Sequence, residues 1–157
     1  MASTFEGVVQ QLNNTFNLNL NAENLEAVNL SFKDQQIQFE LDENQENVLA
    51  ICFLGEVKEG RYREDVLVQA LRSNGFPQPN LGTFAYSSKM DTLILFHTMP
   101  VESVTQESLM NAASILYEKM VLWKEALASS MVPIIEKQKS DKPQMDLSSV
   151  MGMVRKS

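Results

Sequence analysis

Hydrophobic and polar positions alternate between residues 27 and 57 in a way that predicts three β-strands. Apolar residues fall at every second position over 28–33 and again over 36–42, which places them on one face of each strand. The third stretch, 48–57, opens with seven consecutive apolar residues, a pattern typical of a strand that is covered on both faces. The chain is therefore expected to be organised around these three strands.

Helical spacing of apolar residues appears before and after these strands. It runs over 4–17, over 62–73 and through a long stretch after Thr105, whose hydroxyl is suited to cap a helix. Two further apolar stretches, 82–87 and 92–98, are separated by a short polar turn and predict a strand hairpin. The predicted order is therefore helix, three strands, helix, two strands and a long helix.

This order predicts an α+β fold, with a twisted antiparallel sheet flanked by helices. Residues 1–130 are expected to form one domain and residues 131–157 a flexible tail. Disorder is the preferred interpretation of this tail. Its apolar residues leave a second interpretation open, in which the tail packs on the chain's own apolar surface or on a partner. These residues are Met145, Leu147, Val150, Met151, Met153 and Val154.

Charge and composition narrow the classes of partner. The net charge of −7 and an isoelectric point near 4.7 argue against a nucleic-acid partner, because affinity for phosphates rests largely on Lys and Arg. No apolar run approaches the length that spans a bilayer, and no secretory signal peptide is expected at the N-terminus. Cys52 is the only cysteine, so no internal disulfide is possible, and a reducing compartment is expected.

The residues that carry most enzyme chemistry are sparse and scattered. His97 is the only histidine, and nothing near it in sequence supports a triad with a nucleophile such as Cys52. There is no glycine-rich phosphate loop, and the acidic stretch 42–46 is typical of a solvated turn. We therefore expect a protein that is not an enzyme and that has no catalytic residues, no cofactor and no metal.

The C-terminal third carries a resemblance to a known family. A hairpin that ends at Pro100 leads into a long helix with Leu116, Met120 and the aromatic–basic pair Trp123-Lys124. Together with the order of elements over residues 3–128, this resembles the class I type III secretion chaperones of Gram-negative bacteria, the family of the Tir chaperone. The tail after Ala128 is a departure, because it is longer than in many members.

The resemblance implies a homodimer in the bacterial cytoplasm that binds the N-terminal segment of secreted effector proteins. The effector would bind in extended form, by strand addition and pocket filling, and would stay soluble and secretion-competent. The alternative is a dimeric, non-enzymatic adaptor or regulatory component of the secretion system, whose apolar faces serve only its own dimer. Large exposed apolar patches on such a dimer would favour effector binding over this alternative.

The resemblance also implies two sets of site residues. The effector-binding set lies on the first helix and the early strands, and roughly half of it is expected to face the effector. This set comprises Phe5, Val8, Leu12, Phe16, Leu30, Phe32, Ile37 and Phe39. The dimer-interface set lies on the second helix and the fourth strand, and comprises Val66, Ala70, Leu71, Phe84 and Tyr86.

Overall fold

The computed structural model describes residues 4–23, 25–75 and 82–133, and in these residues it confirms the predicted order of elements. Of the predicted tail, only residues 131–133 are among the described residues, so its flexibility stays a prediction. A short 3-10 turn, Val101–Ser103, precedes the last helix. The helices and strands are α1 (Thr4–Phe16), β1 (Ala27–Phe32), β2 (Gln35–Leu41), β3 (Asn47–Glu56), α2 (Arg61–Asn74), β4 (Thr83–Ser87), β5 (Thr92–Pro100) and α3 (Gln106–Ala128).

The five strands form one antiparallel sheet in the order β1-β2-β3-β5-β4. The second hairpin adds to β3 through β5, so β1 and β4 are the two edge strands. Register pairs Leu30 with Ile37 across β1 and β2, and Cys52 with Leu95 across β3 and β5. These cross-strand pairs bring apolar side chains together on the same face of the sheet.

The core lies between one face of the sheet, here called the inner face, and the helices α1 and α3. Alternate residues of β3 point to this face, and Val48, Ala50 and Cys52 are completely buried there. The opposing stripe of α3 is also buried. It consists of Leu109, Ala112, Ala113, Leu116, Met120 and Trp123. The helical spacing read from the sequence is thus the spacing that covers the sheet.

The beginning of α3 is fixed by side-chain caps, as the sequence predicts. The backbone N–H of Ser108 donates to the hydroxyl of Thr105 (3.1 Å), and the N–H of Thr105 donates to the hydroxyl of Ser108 (2.8 Å). This reciprocal pair satisfies two donors that the first helical turn would otherwise leave without partners. The cap therefore sets where α3 starts across the sheet.

One expectation about β3 is wrong. The run of apolar residues predicts a strand covered on both faces, but the helices pack on only one side of it in the described part of the chain. Leu49 and Ile51 are partly exposed on the opposite, outer face, and Phe53 is 44% exposed there. A continuous apolar run indicates that both faces of a strand are apolar, but it does not indicate what covers the second face.

Replacing Trp123 with alanine tests the cover that α3 provides. The indole is 1% exposed, and its ring centroid lies 4.4 Å from that of Phe84. We expect Trp123→Ala to lower the free energy of unfolding by roughly 3–5 kcal/mol, because it removes buried area and leaves a cavity. Leu122→Ala is the control, since Leu122 is 53% exposed. Urea denaturation that shows equal losses for both variants would contradict this packing.

Candidate functional site

The structure places most of the proposed effector-binding residues inside the molecule. Six of the eight are buried, with exposed fractions between 0% and 8%. These six are Phe5, Val8, Leu12, Leu30, Ile37 and Phe39. The helix and the strands that carry them pack against each other and so cover them in the single chain. Their role in effector binding stays a prediction, and it would require these side chains to be uncovered.

The other two, Phe16 and Phe32, belong to an aromatic corner at the β1–β2 turn. Their ring centroids are 5.9 Å apart, and the Phe32 centroid is 6.0 Å from that of Tyr117, in both cases edge to face. The ammonium of Lys33 lies 4.6 Å from the Tyr117 ring centroid, within the range of a cation–π contact. The Tyr117 hydroxyl donates to the carboxylate of Asp34 (3.0 Å), which raises the pKa of Tyr117. The corner is therefore a partly exposed aromatic surface.

A second apolar surface lies on the outer face of the sheet, where Phe53 is the most exposed side chain and its neighbours are partly buried. Register places Ile51 opposite Phe96, and Phe53 opposite Ile94. Together with Leu49 these residues form the outer patch. None of the five is among the partly buried side chains that pack against the core. Because a flat apolar surface of this kind is unusual on a soluble monomer, the outer patch is a candidate binding surface.

Carboxylates lie at both ends of the outer patch. Glu40 is directly opposite Leu49 on β2, where it accepts a hydrogen bond from the side-chain amide of Gln38 (2.8 Å). Glu56 lies at the other end of β3, opposite Thr92, and is exposed. An apolar strip with acidic ends favours a partner that combines apolar side chains with basic flanks.

The two sheet edges differ in what they offer to another strand. At the β4 edge, the side-chain amide of Asn74 donates to the Phe84 carbonyl oxygen (2.9 Å), and the Phe84 N–H donates to the Asn74 side-chain oxygen (2.7 Å). Asn74 thus makes the pair of hydrogen bonds that a neighbouring strand would make. Strand β1, at the other edge, pairs only with β2 among the described strands. Strand addition is therefore favoured at β1.

The proposed dimer-interface residues divide between core and surface. Val66, Ala70 and Phe84 are buried, and Tyr86 is partly buried, with its hydroxyl donating to Asp91 (2.8 Å). Leu71, in contrast, is 68% exposed. Val68, one turn earlier on α2, is 50% exposed. The exposed side of α2 therefore carries a short apolar stripe, made of Val68 and Leu71, and the opposite side of the helix is buried.

Burial shifts the pKa values of two titratable side chains on the inner side of the sheet. Burial raises the pKa of the Cys52 thiol to about 12, in agreement with the expectation of a small buried apolar residue. Burial also lowers the pKa of His97, and the nearby positive charge of Lys119 lowers it further.

No group of three or more His, Cys, Asp or Glu side chains within the described ranges is placed to hold a metal ion. None of the described helices is long and apolar enough to cross a membrane.

Comparison with known proteins settles the family. The family model described as Tir chaperone protein (CesT) family matches residues 7–124, which is most of the chain. The chain belongs to the CesT family. The match runs from inside the first helix to near the end of the last, so the outer patch and the exposed stripe of α2 both lie inside it. No curated protein sequence matches the chain significantly.

Solved structures that resemble this CesT-family chain share its fold at low identity. The Yersinia pestis type III secretion chaperone SycH, in complex with a fragment of YscM2, has a TM-score of 0.60 at 13% identity and covers 77% of this chain and 99% of that chain. A chain of the Pseudomonas aeruginosa ExoU–SpcU complex gives 0.62 at 19%, with coverage of 80% and 98%. A chain of the HopA1–SchA chaperone–effector complex gives 0.61 at 17%, with coverage of 80% and 99%.

Sequence reasoning missed the outer patch, although a signal for it was present. The second alternating set within β3 is as apolar as the buried set, and β5 repeats the feature, with Ile94 and Phe96 alternating with the buried Leu93 and Leu95. Two neighbouring strands that are apolar on both faces indicate either a second covering layer or a binding surface. Tyr117 was missed because its place in the aromatic corner depends on how α3 crosses the β1–β2 turn.

The buried thiol gives a direct test of the inner layer. At pH 8 only about one Cys52 thiol in ten thousand is ionised in the folded chain, because its pKa is about 12. We expect no reaction with a disulfide reagent such as DTNB until urea unfolds the protein. Since the folded pKa lies above the unfolded value of about 8.5, this burial favours folding below that pH, and the contribution is lost as the pH rises toward 12. Rapid stoichiometric labelling of native protein would contradict this placement.

Proposed function

We propose that this CesT-family protein is a cytoplasmic type III secretion chaperone that binds the N-terminal segment of a secreted effector protein in extended form. The observation that carries the proposal is the outer patch, a surface of large apolar side chains that the chain's described helices do not cover. Family membership and the chaperone–effector complexes among the structural neighbours support the same conclusion. The bound segment would stay soluble because its apolar side chains are covered.

The geometry suggests how an extended segment is held without an enzymatic step. One stretch of its backbone would add to the open edge of β1, beside the aromatic corner. A second stretch would place apolar side chains on the outer patch of β3 and β5. Backbone hydrogen bonds depend little on sequence, whereas apolar contacts require side chains at suitable spacing. Binding of this kind is driven by buried apolar area and needs no cofactor or nucleotide.

We propose further that the protein is a homodimer that joins through α2 and the region of β4. In a two-fold interface the same stripe meets itself, so Leu71 and Val68 of each copy would be buried together. Burying the exposed part of one Leu71 side chain contributes about 1–2 kcal/mol. The other residues assigned to the interface would support this stripe from inside each copy. Of these, three are buried in the single chain, Val66, Ala70 and Phe84, and Tyr86 is partly buried.

Effector binding is tested by placing a charge in the middle of the outer patch. We expect Phe53→Glu to abolish co-purification of a secreted protein from the native host, because a buried carboxylate at that contact would have no partner. Asn111→Glu adds the same charge at an exposed position on α3 and is the control. Mass spectrometry would identify the captured protein, and limited proteolysis would show whether its N-terminal segment is protected. Equal capture by Phe53→Glu, with the fold intact by circular dichroism, would refute the proposed surface.

The dimer is tested separately on α2. We expect Leu71→Glu to shift the protein from dimer to monomer in sedimentation at micromolar concentration, because two copies of the new carboxylate would face each other across the two-fold axis. Asn111→Glu places the same charge at an exposed position on α3, outside α2 and β4, and is expected to remain dimeric. A wild-type protein that sediments as a monomer, or a Leu71→Glu variant that remains a dimer, would count against this interface.

A further inference from the structure

The charge of the chain is divided unevenly between residues 1–133 and the C-terminal segment 134–157. The segment contains five Lys or Arg and three Asp or Glu residues, whereas residues 1–133 contain eight and seventeen. The segment is therefore basic and the rest of the chain strongly acidic. Opposite charges on two parts of one chain favour their association, and the effect is strongest where carboxylates flank an apolar surface.

The segment also carries an apolar stripe at helical spacing. Leu147, Val150, Met151 and Val154 occupy positions i, i+3, i+4 and i+7, which lie on one side of an α-helix. Arg155-Lys156 follow the stripe, and Lys142 precedes it between Asp141 and Asp146, so the cationic charge is concentrated at the C-terminal end. This pattern predicts an amphipathic helix with a cationic C-terminal end, which is complementary to an apolar strip that ends in a carboxylate.

The dimensions of the two surfaces agree. A helix from Lys142 to Arg155 would be roughly 20 Å long at 1.5 Å per residue. Along β3, the distance from Leu49, opposite Glu40, to Glu56 is roughly 23 Å at 3.3 Å per residue. One helix of this length therefore covers the outer patch and brings Arg155-Lys156 near one carboxylate and Lys142 near the other.

The position where the described chain ends allows the segment to reach this face. Tyr62, at the start of α2, donates a hydrogen bond to the Met131 carbonyl oxygen (2.9 Å), and Leu127 lies against Gly55 at the end of β3. Pro133 is thus close to the Phe53 end of the outer patch, on the opposite side of the sheet. Residues 134–141 can extend over roughly 28 Å, which exceeds the layer spacing of about 10 Å that they must pass.

We propose that residues 142–156 dock on the outer patch of their own chain as an amphipathic helix that runs antiparallel to β3. Lys142 then lies near Glu56, and Arg155-Lys156 lies near Glu40. The docked helix covers the outer patch with Leu147, Val150, Met151 and Val154. Its regulatory meaning rests on the proposed function: the segment occupies the surface assigned to the effector, so an effector must displace it in order to bind.

Spin labels on the segment test both its place and its direction. Met145→Cys and Met153→Cys lie off the apolar stripe, one near each end, and the buried Cys52 thiol does not compete for the label. In the full chain without effector, we expect the label at position 145 to broaden the amide resonances of Phe53 and Ile94. The label at position 153 should broaden those of Leu49 and Thr98.

Three results of this experiment would overturn the proposal. They are broadening at neither end of β3, broadening centred on Val68 and Leu71 of α2, and the reversed order of the two labels. Mixing spin-labelled protein with isotope-labelled protein identifies the source of the broadening. If it arises only between copies, the occupant is the segment of a second copy, and docking within one chain is refuted.

A dye that binds apolar surfaces gives an independent measurement. We expect Met151→Asp to raise the fluorescence of anilinonaphthalene sulfonate several-fold, because the segment leaves the outer patch. Ser149→Asp adds the same charge on the opposite side of the stripe and should leave the fluorescence unchanged. Equal fluorescence of Met151→Asp and the wild type would refute docking.

Neither measurement requires an effector, so the two proposals can fail separately. If the labels and the dye show no docking while effector capture still depends on Phe53, the inference is refuted and the proposed function stands. If docking is observed while neither the wild type nor Met151→Asp, whose outer patch is open, captures a secreted protein, the proposed function is refuted and the docked segment remains.

Discussion

The packing of α3 across one face of the sheet is the interaction on which the rest of the structure depends. Its apolar stripe covers the central strands, and Trp123 extends that cover to Phe84 on the edge strand β4. Residues that are distant in sequence are joined through this one helix. Because the described helices lie against the inner face, β3 and β5 keep a second set of apolar side chains that they do not cover.

This one-sided arrangement separates stability from recognition. The inner layer provides most of the hydrophobic burial that holds the fold, whereas the exposed side chains of Phe53, Val68 and Leu71 contribute less to it in a single chain. Changes on these surfaces are therefore free to alter partners without unfolding the chain. A CesT-family protein built in this way would present a rigid apolar sheet to a client, and a rigid surface loses little conformational freedom on binding.

Most of the fold could be predicted from the sequence, because its elements are long and strongly periodic. The strands, the helices and the cap at Thr105 follow from local patterns. The site was harder to predict because the same types of apolar residue form the core or the surface, depending on which face of the sheet the helices pack against. Leu12 and Phe39 were assigned to an effector surface and are buried, whereas Phe53 was assigned to the interior and is 44% exposed. That choice depends on tertiary packing, which a single strand pattern does not encode.

The hydrogen bonds between Asn74 and Phe84 have a consequence for how the molecule avoids aggregation. Head-to-tail polymerisation of sheets requires two available edges, one that receives a strand and one that passes pairing on to the next molecule. The side-chain amide of Asn74 occupies the outward backbone groups of Phe84, so the β4 edge is less available than the β1 edge for passing pairing on. Partial protection of one edge would therefore let the molecule accept a β-strand at the other edge with less risk of seeding a fibre.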